Sequence, residues 1–293
     1  KRFKVIDKNN WLLIKSGIRL NQFYGIESDD YAHETAKLSL WLAEHQMNIV
    51  FKEVFGETRP TLPLKESGNI FCDNATRMNW ENVFSSEKTN KNTEIIILGN
   101  PPYKGFSERS DEQQKDIKIY WGGSSKLDYV SIWFSKASKF IKDRNAKFAF
   151  LSTNSINQGE QVSLLWPHIF NLGLEIFFSY SSFLWTNNAR DKAAVMCTII
   201  GIRNISKSKK IIYKDGIERN VKSIGPYLTQ GENTIVFKRT KPISNLPIMS
   251  LGDMAKDNSH LVLSEDEKNS LLTSNPESKK YLKKFIGAID FLR

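Results

Sequence analysis

Glu94-Ile95-Ile96-Ile97-Leu98 is a short, almost wholly apolar run that passes without a break into Gly99-Asn100-Pro101-Pro102-Tyr103. A strand of that composition needs helices over both of its faces, which is the situation of a parallel sheet in an α/β protein. The flanking sequence repeats the theme. Residues 21–27 read as a strand ending in the acid Glu27, and Asp29 is placed to cap a helix running to about Asn48 with an Ala32, Ala36, Leu40, Ala43, Met47 stripe. After a Pro-containing connection at 59–63, residues 68–72 form a second strand that ends at Asp73-Asn74. A helix over 127–143, a strand over 146–151 and a helix over 160–171 follow. Two apolar stretches, 174–180 and 193–202, flank the loop 181–192 and read as an antiparallel pair. The order predicts a doubly wound α/β sheet with an antiparallel edge, whose ligands collect at the strand carboxyl ends.

From Ser206 onward the apolar runs are short and broken by Gly, Pro and Asn, with no sustained helical period before residues 264–285. A boundary near residue 205 is expected, separating a catalytic domain (1–204) from a smaller mixed domain (205–293). Residues 104–126 read as a long polar loop beside the tetrapeptide, a place for substrate contacts.

Asn100-Pro101-Pro102-Tyr103 has a chemistry of its own. The exocyclic amine of a nucleobase is a poor nucleophile because its lone pair is delocalised into the ring. A side-chain carbonyl (Asn100) and a backbone carbonyl (Pro101) that accept both amine hydrogens favour a more tetrahedral nitrogen, with its lone pair facing a methyl donor. Pro101 and Pro102 lack N–H donors and have a fixed φ, so the turn is rigid. Tyr103 can stack on a base taken out of the duplex. The plain alternative is an ordinary turn opener followed by a packing tyrosine. The neighbouring strand ends favour the chemical reading, because Glu27 has the type and position to take two ribose hydroxyls, and Asp73 or Asn74 to meet an adenine edge.

Charge fits a polyanionic partner. The chain carries a formal net charge of +10, and residues 203–256 hold 11 Lys or Arg against 4 Asp or Glu. Cys72 and Cys197 both lie in apolar runs read as buried strands, and are expected to be core thiols rather than a disulfide. None of the four histidines lies near a cysteine at ligand spacing, so no metal is expected. Nothing in the sequence reads as a membrane span or secretion signal, so a cytoplasmic protein is expected.

These residues together resemble the amino-methyltransferases of DNA, and most closely the MmeI-like restriction and modification enzymes. The resemblance runs through residues 23–27, 38–48, 99–103, 152–156 with Gln158-Gly159, and 189–195. It implies a methyltransferase-fold catalytic domain, S-adenosylmethionine as methyl donor, double-stranded DNA with a flipped target base as substrate, and a target-recognition domain from near residue 205. By the same resemblance Glu27 is the ribose-binding acid, Asp73-Asn74 the adenine-binding strand end, Asn100 to Tyr103 the catalytic loop, and Phe183 and Trp185 the aromatics that hold the flipped base. The family's glycine-rich loop is missing from these residues. That makes the chain look like a fragment that binds the cofactor weakly or not at all by itself, with the loop and a nuclease domain or subunit expected upstream.

Other functions are weighed on the same residues. Methylation of the cytosine amine uses the same geometry, but often with Ser in place of Asn100. Carbon-5 methylation needs a cysteine nucleophile, and neither Cys72 nor Cys197 has the setting. Protein-glutamine methyltransferases share the tetrapeptide but lack a large C-terminal extension; the basic run Lys238-Arg239-Thr240-Lys241 points to DNA phosphates instead. The missing glycine loop keeps a non-catalytic recognition subunit among the alternatives. The favoured expectation is methylation of adenine N6 in a bacterial restriction–modification system.

Overall fold

The computed structural model describes residues 18–56, 68–83, 93–122, 126–185, 195–245 and 260–285. Two compact units divide the chain, residues 1–238 and 239–293.

In the first unit β1 (Tyr24–Glu27) and β2 (Asn69–Cys72) form a two-stranded parallel sheet. Six more strands form the main sheet: β3 (Ile95–Gly99), β4 (Ala146–Thr153), β5 (Leu174–Trp185), β6 (Val195–Asn204), β7 (Lys210–Lys214) and β8 (Ile217–Val221). Their order is β3-β4-β6-β5-β7-β8. The β3–β4 and β5–β7 pairs are parallel, and β6 runs antiparallel to β4 and β5 on either side. β3, β4, β5 and β7 therefore present their carboxyl ends to the same side of the molecule.

Helices α1 (Asp30–Phe55), α2 (Asp111–Trp121), α3 (Ser131–Ile141) and α4 (Gly159–Phe170) alternate with these strands. The Asp29 side chain accepts from Ala32 N–H at 2.9 Å, as a cap should. The helix runs past Asn48 because its stop signal is Gly56, which takes φ 80° and returns its N–H to Lys52. The core lies between α3, α4 and the sheet, where Phe134 meets Phe148 and Phe150 edge-on at 5.9 and 5.4 Å. Trp166 is fully buried, and its Nε1–H donates to Ile156 O at 2.9 Å, pinning the turn after β4.

Several elements depart from the sequence reading. The stretch expected as a polar loop contains α2, opened by a capping box between Ser110 and Gln113 and closed by Gly122. The antiparallel strand expected at the edge is β6, and residues beyond 205 continue the sheet past it. A hairpin turn at Asp215-Gly216, with φ 52° and 75°, joins β7 to β8. The first compact unit runs on through this hairpin to Lys238. Cys197 is buried as expected, but Cys72 is exposed. It is the last residue of a four-residue strand in a two-stranded sheet, where no described residue covers it, and its thiol donates to Asp30 Oδ1 at 3.1 Å.

The second unit holds α5 (Glu265–Ser274), opened by a Ser264–Glu267 capping box, followed by a 3₁₀ turn over Pro276–Tyr281.

Candidate active site

Gly99 ends β3 opposite Phe150, and a Cβ at this position would lie 3.2 and 3.3 Å from two ring carbons of Phe150. Only glycine lets the strand pass so close to β4 before the turn begins. Pro101 is then buried, while Asn100 and Pro102 are exposed. Across the turn the Tyr103 hydroxyl donates to Asn100 Oδ1. Burial and the adjacent Cys197 thiol push the Tyr103 phenol up to about 12, against a smaller downward pull from Asn100, so the ring keeps its proton at neutral pH. The next residue is anchored as well, because Lys104 O accepts from Tyr129 N–H at 2.9 Å.

The late strands complete this place. Cys197 of β6 lies in register with Thr153 of β4 on one side and Phe183 of β5 on the other. Register partners project to the same face, so Phe183 stands on the face of Cys197 that Tyr103 touches. Trp185 is two residues further along β5, its ring centroid 6.5 Å from that of Phe183, and is 46% exposed. The tetrapeptide and Phe183 thus lie on one face of the sheet, with Trp185 next to Phe183.

A buried carboxylate that the sequence reading passed over supports the loop. Asp128 Oδ2 accepts from Ser155 Oγ at 2.6 Å, Ser155 shares a 2.7 Å hydrogen bond with Thr153, and Gln161 Nε2 donates to Asp128 Oδ1 at 3.2 Å. Burial pushes the Asp128 carboxyl above its ordinary value, against the bond from Ser155 and the charge of Arg109. The sequence cue was the polar run Ser152-Thr153-Asn154-Ser155 directly after an apolar strand.

The candidate cofactor residues lie at the ends of the two-stranded sheet. Asp73 N–H donates to Glu27 O at 2.8 Å, which sets the two acids side by side. Glu27 is exposed, and its carboxylate has no hydrogen-bond or ion-pair partner among the described residues. A free carboxylate at a strand terminus fits a ribose diol, so the residues present suit a nucleoside cofactor. Asn74 Oδ1 is engaged twice by Thr76, at 2.9 Å from its N–H and 2.7 Å from its hydroxyl, while among the described residues the Asp73 side chain accepts only from the Asn74 N–H at 2.6 Å. Lys136 of α3 holds the following turn by donating to Thr76 O at 2.9 Å and Met78 O at 2.6 Å. Burial pushes its ammonium down to about 8, with a further push from Lys139 and a counter-pull from Asp73. Asp116 of α2 takes hydrogen bonds from Arg77, Thr76 and Tyr129 at 2.8, 3.2 and 2.7 Å.

The basic residues expected on DNA fall in both compact units. Lys238 Nζ lies 2.6 Å from Glu160, which also pairs with Lys126 at 3.3 Å. Arg239 and Lys241 belong to the second unit, where both are exposed. Among the described residues no group of three or more His, Cys, Asp or Glu is placed to hold a metal, and no helix is long and apolar enough to cross a membrane.

Residues 2–214 match the MmeI DNA-methyltransferase domain, and residues 230–293 match the MmeI target recognition domain. The chain belongs to the MmeI family. Its α/β sheet is that of the family's methyltransferase domain, followed by a smaller target-recognition region. DNA methyltransferase A of Bacillus subtilis (strain 168) is 44% identical over 280 residues, covering 94% of this chain and 32% of the relative. A solved structure of the Type IIL restriction-modification enzyme MmeI in complex with DNA superposes with a TM-score of 0.85 at 37% identity. That match covers 99% of this chain and 39% of the other. The chain thus spans between about a third and two fifths of the length of these two relatives.

Proposed function

We propose that this chain transfers a methyl group from S-adenosylmethionine to the N6 amine of adenine in DNA, as the catalytic and recognition part of a restriction–modification protein. The observation that carries the reading is the closed Asn100–Tyr103 loop at the carboxyl end of β3, with Phe183 beside it, in a chain of the MmeI family. When bound, S-adenosylmethionine supplies an electrophilic methyl group. Glu27 takes the two ribose hydroxyls, and of the two residues after β2 it is Asp73 that has an acceptor left for the adenine edge.

The amine is handled by the loop. Asn100 Oδ1 and the Pro101 carbonyl accept its two hydrogens, which turns the nitrogen lone pair out of conjugation and aims it. Asn100 Oδ1 becomes available as the Tyr103 hydroxyl swings away, and the freed phenol ring stacks on the base. Phe183 packs against the opposite side, with Trp185 at the rim. Excluding water between two rings lowers the local dielectric and strengthens both hydrogen bonds to the amine.

The family matches end at residue 214 and resume at 230, and the first compact unit closes at 238, which supports a junction between catalysis and recognition in that interval. Lys238, Arg239 and Lys241 lie next to it and suit DNA phosphates, Lys238 by exchanging Glu160 for phosphate. Base-resolved modification sequencing of DNA from cells expressing the full-length protein, or its Asn100→Ala form, tests the whole reading. N6-methyladenine in one sequence context, absent with the variant, is the expected result. A methylated cytosine amine would retain the mechanism and change the base, and no mark at all would overturn it.

A further inference from the structure

The main sheet carries a second concavity that methyl transfer does not use. A cavity of about 570 Å³ opens between the turn after β4, the distal part of β5, the β7–β8 hairpin and residues 227–230. That volume is in the range of small-ligand pockets. Lys214 and Arg219 line it, both exposed, and neither forms an ion pair among the described residues. At the opposite end of β7 the contrast is sharp: Lys210 and the neighbouring Arg203 of β6 are both neutralised by the largely buried Glu175 at 3.0 Å. Arg219 lies in register with Ile212, which also lines the cavity, and Glu218 alternates to the other face, where it meets Tyr213.

One residue lining the cavity, Asn157, holds an unsatisfied acceptor. Asn157 is 6% exposed, and its Nδ2 donates to Pro226 O at 2.6 Å, which fixes the orientation of the amide. Among the described residues its Oδ1 is buried without a partner. An orphaned buried acceptor is costly enough to need a reason. The same wall contains Leu228, a buried non-glycine residue held at φ 57°, and strained backbone of this kind collects at binding sites. Two cations at the mouth suit a phosphodiester, and the buried acceptor suits an N–H donor, which bases carry and inorganic phosphate lacks.

Position argues for DNA. β7 lies four strand spacings from β3 along the same carboxyl-end row, on the order of 20 Å at the usual spacing. At about 3.4 Å per nucleotide, a strand leaving Asn100 along this row passes the cavity about six nucleotides away. We propose that the cavity holds a nucleotide of the DNA flanking the methylated site, with Lys214 and Arg219 on its phosphate and Asn157 Oδ1 on its base. The assignment rests on the methyltransferase reading above.

The test uses the full-length protein and a non-specific duplex, with affinity followed against salt by fluorescence anisotropy. Each neutralised phosphate contributes about 0.9 to the logarithmic slope, so a Lys214→Gln, Arg219→Gln protein, which loses the one phosphate the two cations share, should show a slope shallower by about 1. A Lys207→Gln, Lys209→Gln control changes the same charge at the opposite end of the sheet and should keep the wild-type slope. Equal melting temperatures establish that all three are folded. An unchanged slope in a protein that still methylates DNA overturns the cavity assignment and leaves the methyltransferase reading intact. A wild-type protein that leaves no mark on DNA removes the reading beneath it. Saturable binding of dAMP that the double variant loses, with its DNA slope unchanged, identifies a free-nucleotide pocket and also overturns the assignment.

Discussion

The Tyr103 hydroxyl donates to Asn100 Oδ1, so the oxygen best placed to accept a substrate amine hydrogen is already satisfied within its own turn. The arrangement holds Asn100 in one rotamer before substrate arrives, and substitution of one hydrogen bond by another is worth only about 1 kcal/mol either way. Because the phenol is pushed up to about 12, it remains a donor throughout the working pH range. Tyr103→Phe should therefore lose the tether and keep the stacking ring, with a fall in single-turnover methyl transfer of roughly tenfold or less, the equivalent of one net hydrogen bond. Tyr103→Ala loses both and should fall by roughly 10²-fold, in line with about 1–3 kcal/mol per base stack. Asn100→Ala should fall furthest while retaining DNA affinity. Equal rates for Tyr103→Phe and Tyr103→Ala would show that the ring is not the platform.

Two carboxylates flanking this region shift in opposite directions, and that gives a stability test. Burial pushes Asp116 up, but the bonds from Tyr129, Arg77 and Thr76 and the Arg77 charge outweigh it, and the group lies below its ordinary value. Its stabilisation is present above the ordinary carboxylate range and is lost as pH falls through the lowered value. Asp128 is raised, so its charge costs stability progressively as pH climbs from the ordinary value through the raised one. Asp116→Asn should destabilise at pH 7 by about 1–3 kcal/mol, as expected for leaving buried donors poorly matched, with a smaller difference in acid. Asp128→Asn should be near neutral or stabilising at pH 7. Thermal melts from pH 3 to pH 8 decide it, and an equal loss for both variants would refute the contrast.

Which parts were legible in the sequence follows from how local their signals are. The strands of the main sheet announce themselves as apolar runs, and the catalytic loop as a tetrapeptide at the end of one. Helix α2 was hidden because Asp111–Trp121 is mostly polar and turns only a few side chains, Ile117 among them, inward. Its Ser110–Gln113 capping box was the available cue. The β7–β8 hairpin was written in Asp215-Gly216 between two short strands, but the change of composition after residue 205 hid it, because β8 is an exposed edge strand with little apolar signal. The Asn100–Tyr103 bond, the Cys197–Phe183 register and the Asp128 network join residues between 3 and 33 positions apart, and only the assembled sheet brings them together.

Lys136 ties the turn after β2 to α3 through two carbonyls, and its ammonium is pushed down to about 8. A lowered folded value means that the cost of burying the charge is fully present below about pH 8 and is relieved as pH rises toward the ordinary value of 10.5. Lys136→Met should remove that rising component from a melting-temperature profile between pH 7 and pH 10. It should also free the Thr76 and Met78 carbonyls and so loosen Asp73, weakening S-adenosylmethionine binding by about tenfold for one net hydrogen bond's worth of order. Calorimetry of the full-length variant checks the second effect. A profile unchanged by the substitution would mean that Lys136 is solvated like any surface lysine.

Gly99 tests whether the position of the loop depends on the contact with β4. An alanine methyl there sits 3.2 and 3.3 Å from Phe150 ring carbons, and Phe150 is itself locked edge-on against Phe134 in the core. The ring cannot retreat without disturbing Phe134, so the strain falls on the backbone between Gly99 and Pro101. Overpacking of this kind costs about 1–3 kcal/mol. Displacements of about 1 Å at a reacting group cost about 10²-fold in rate. Gly99→Ala should therefore lower methyl transfer far more than it lowers stability. Gly99→Ala with Phe150→Leu gives the methyl room, and should recover most of the rate while losing further stability from the thinner core. Recovery in the double variant would locate the effect in the Gly99–Phe150 contact. A double variant as slow as Gly99→Ala would place it instead in the conformational freedom of the strand end.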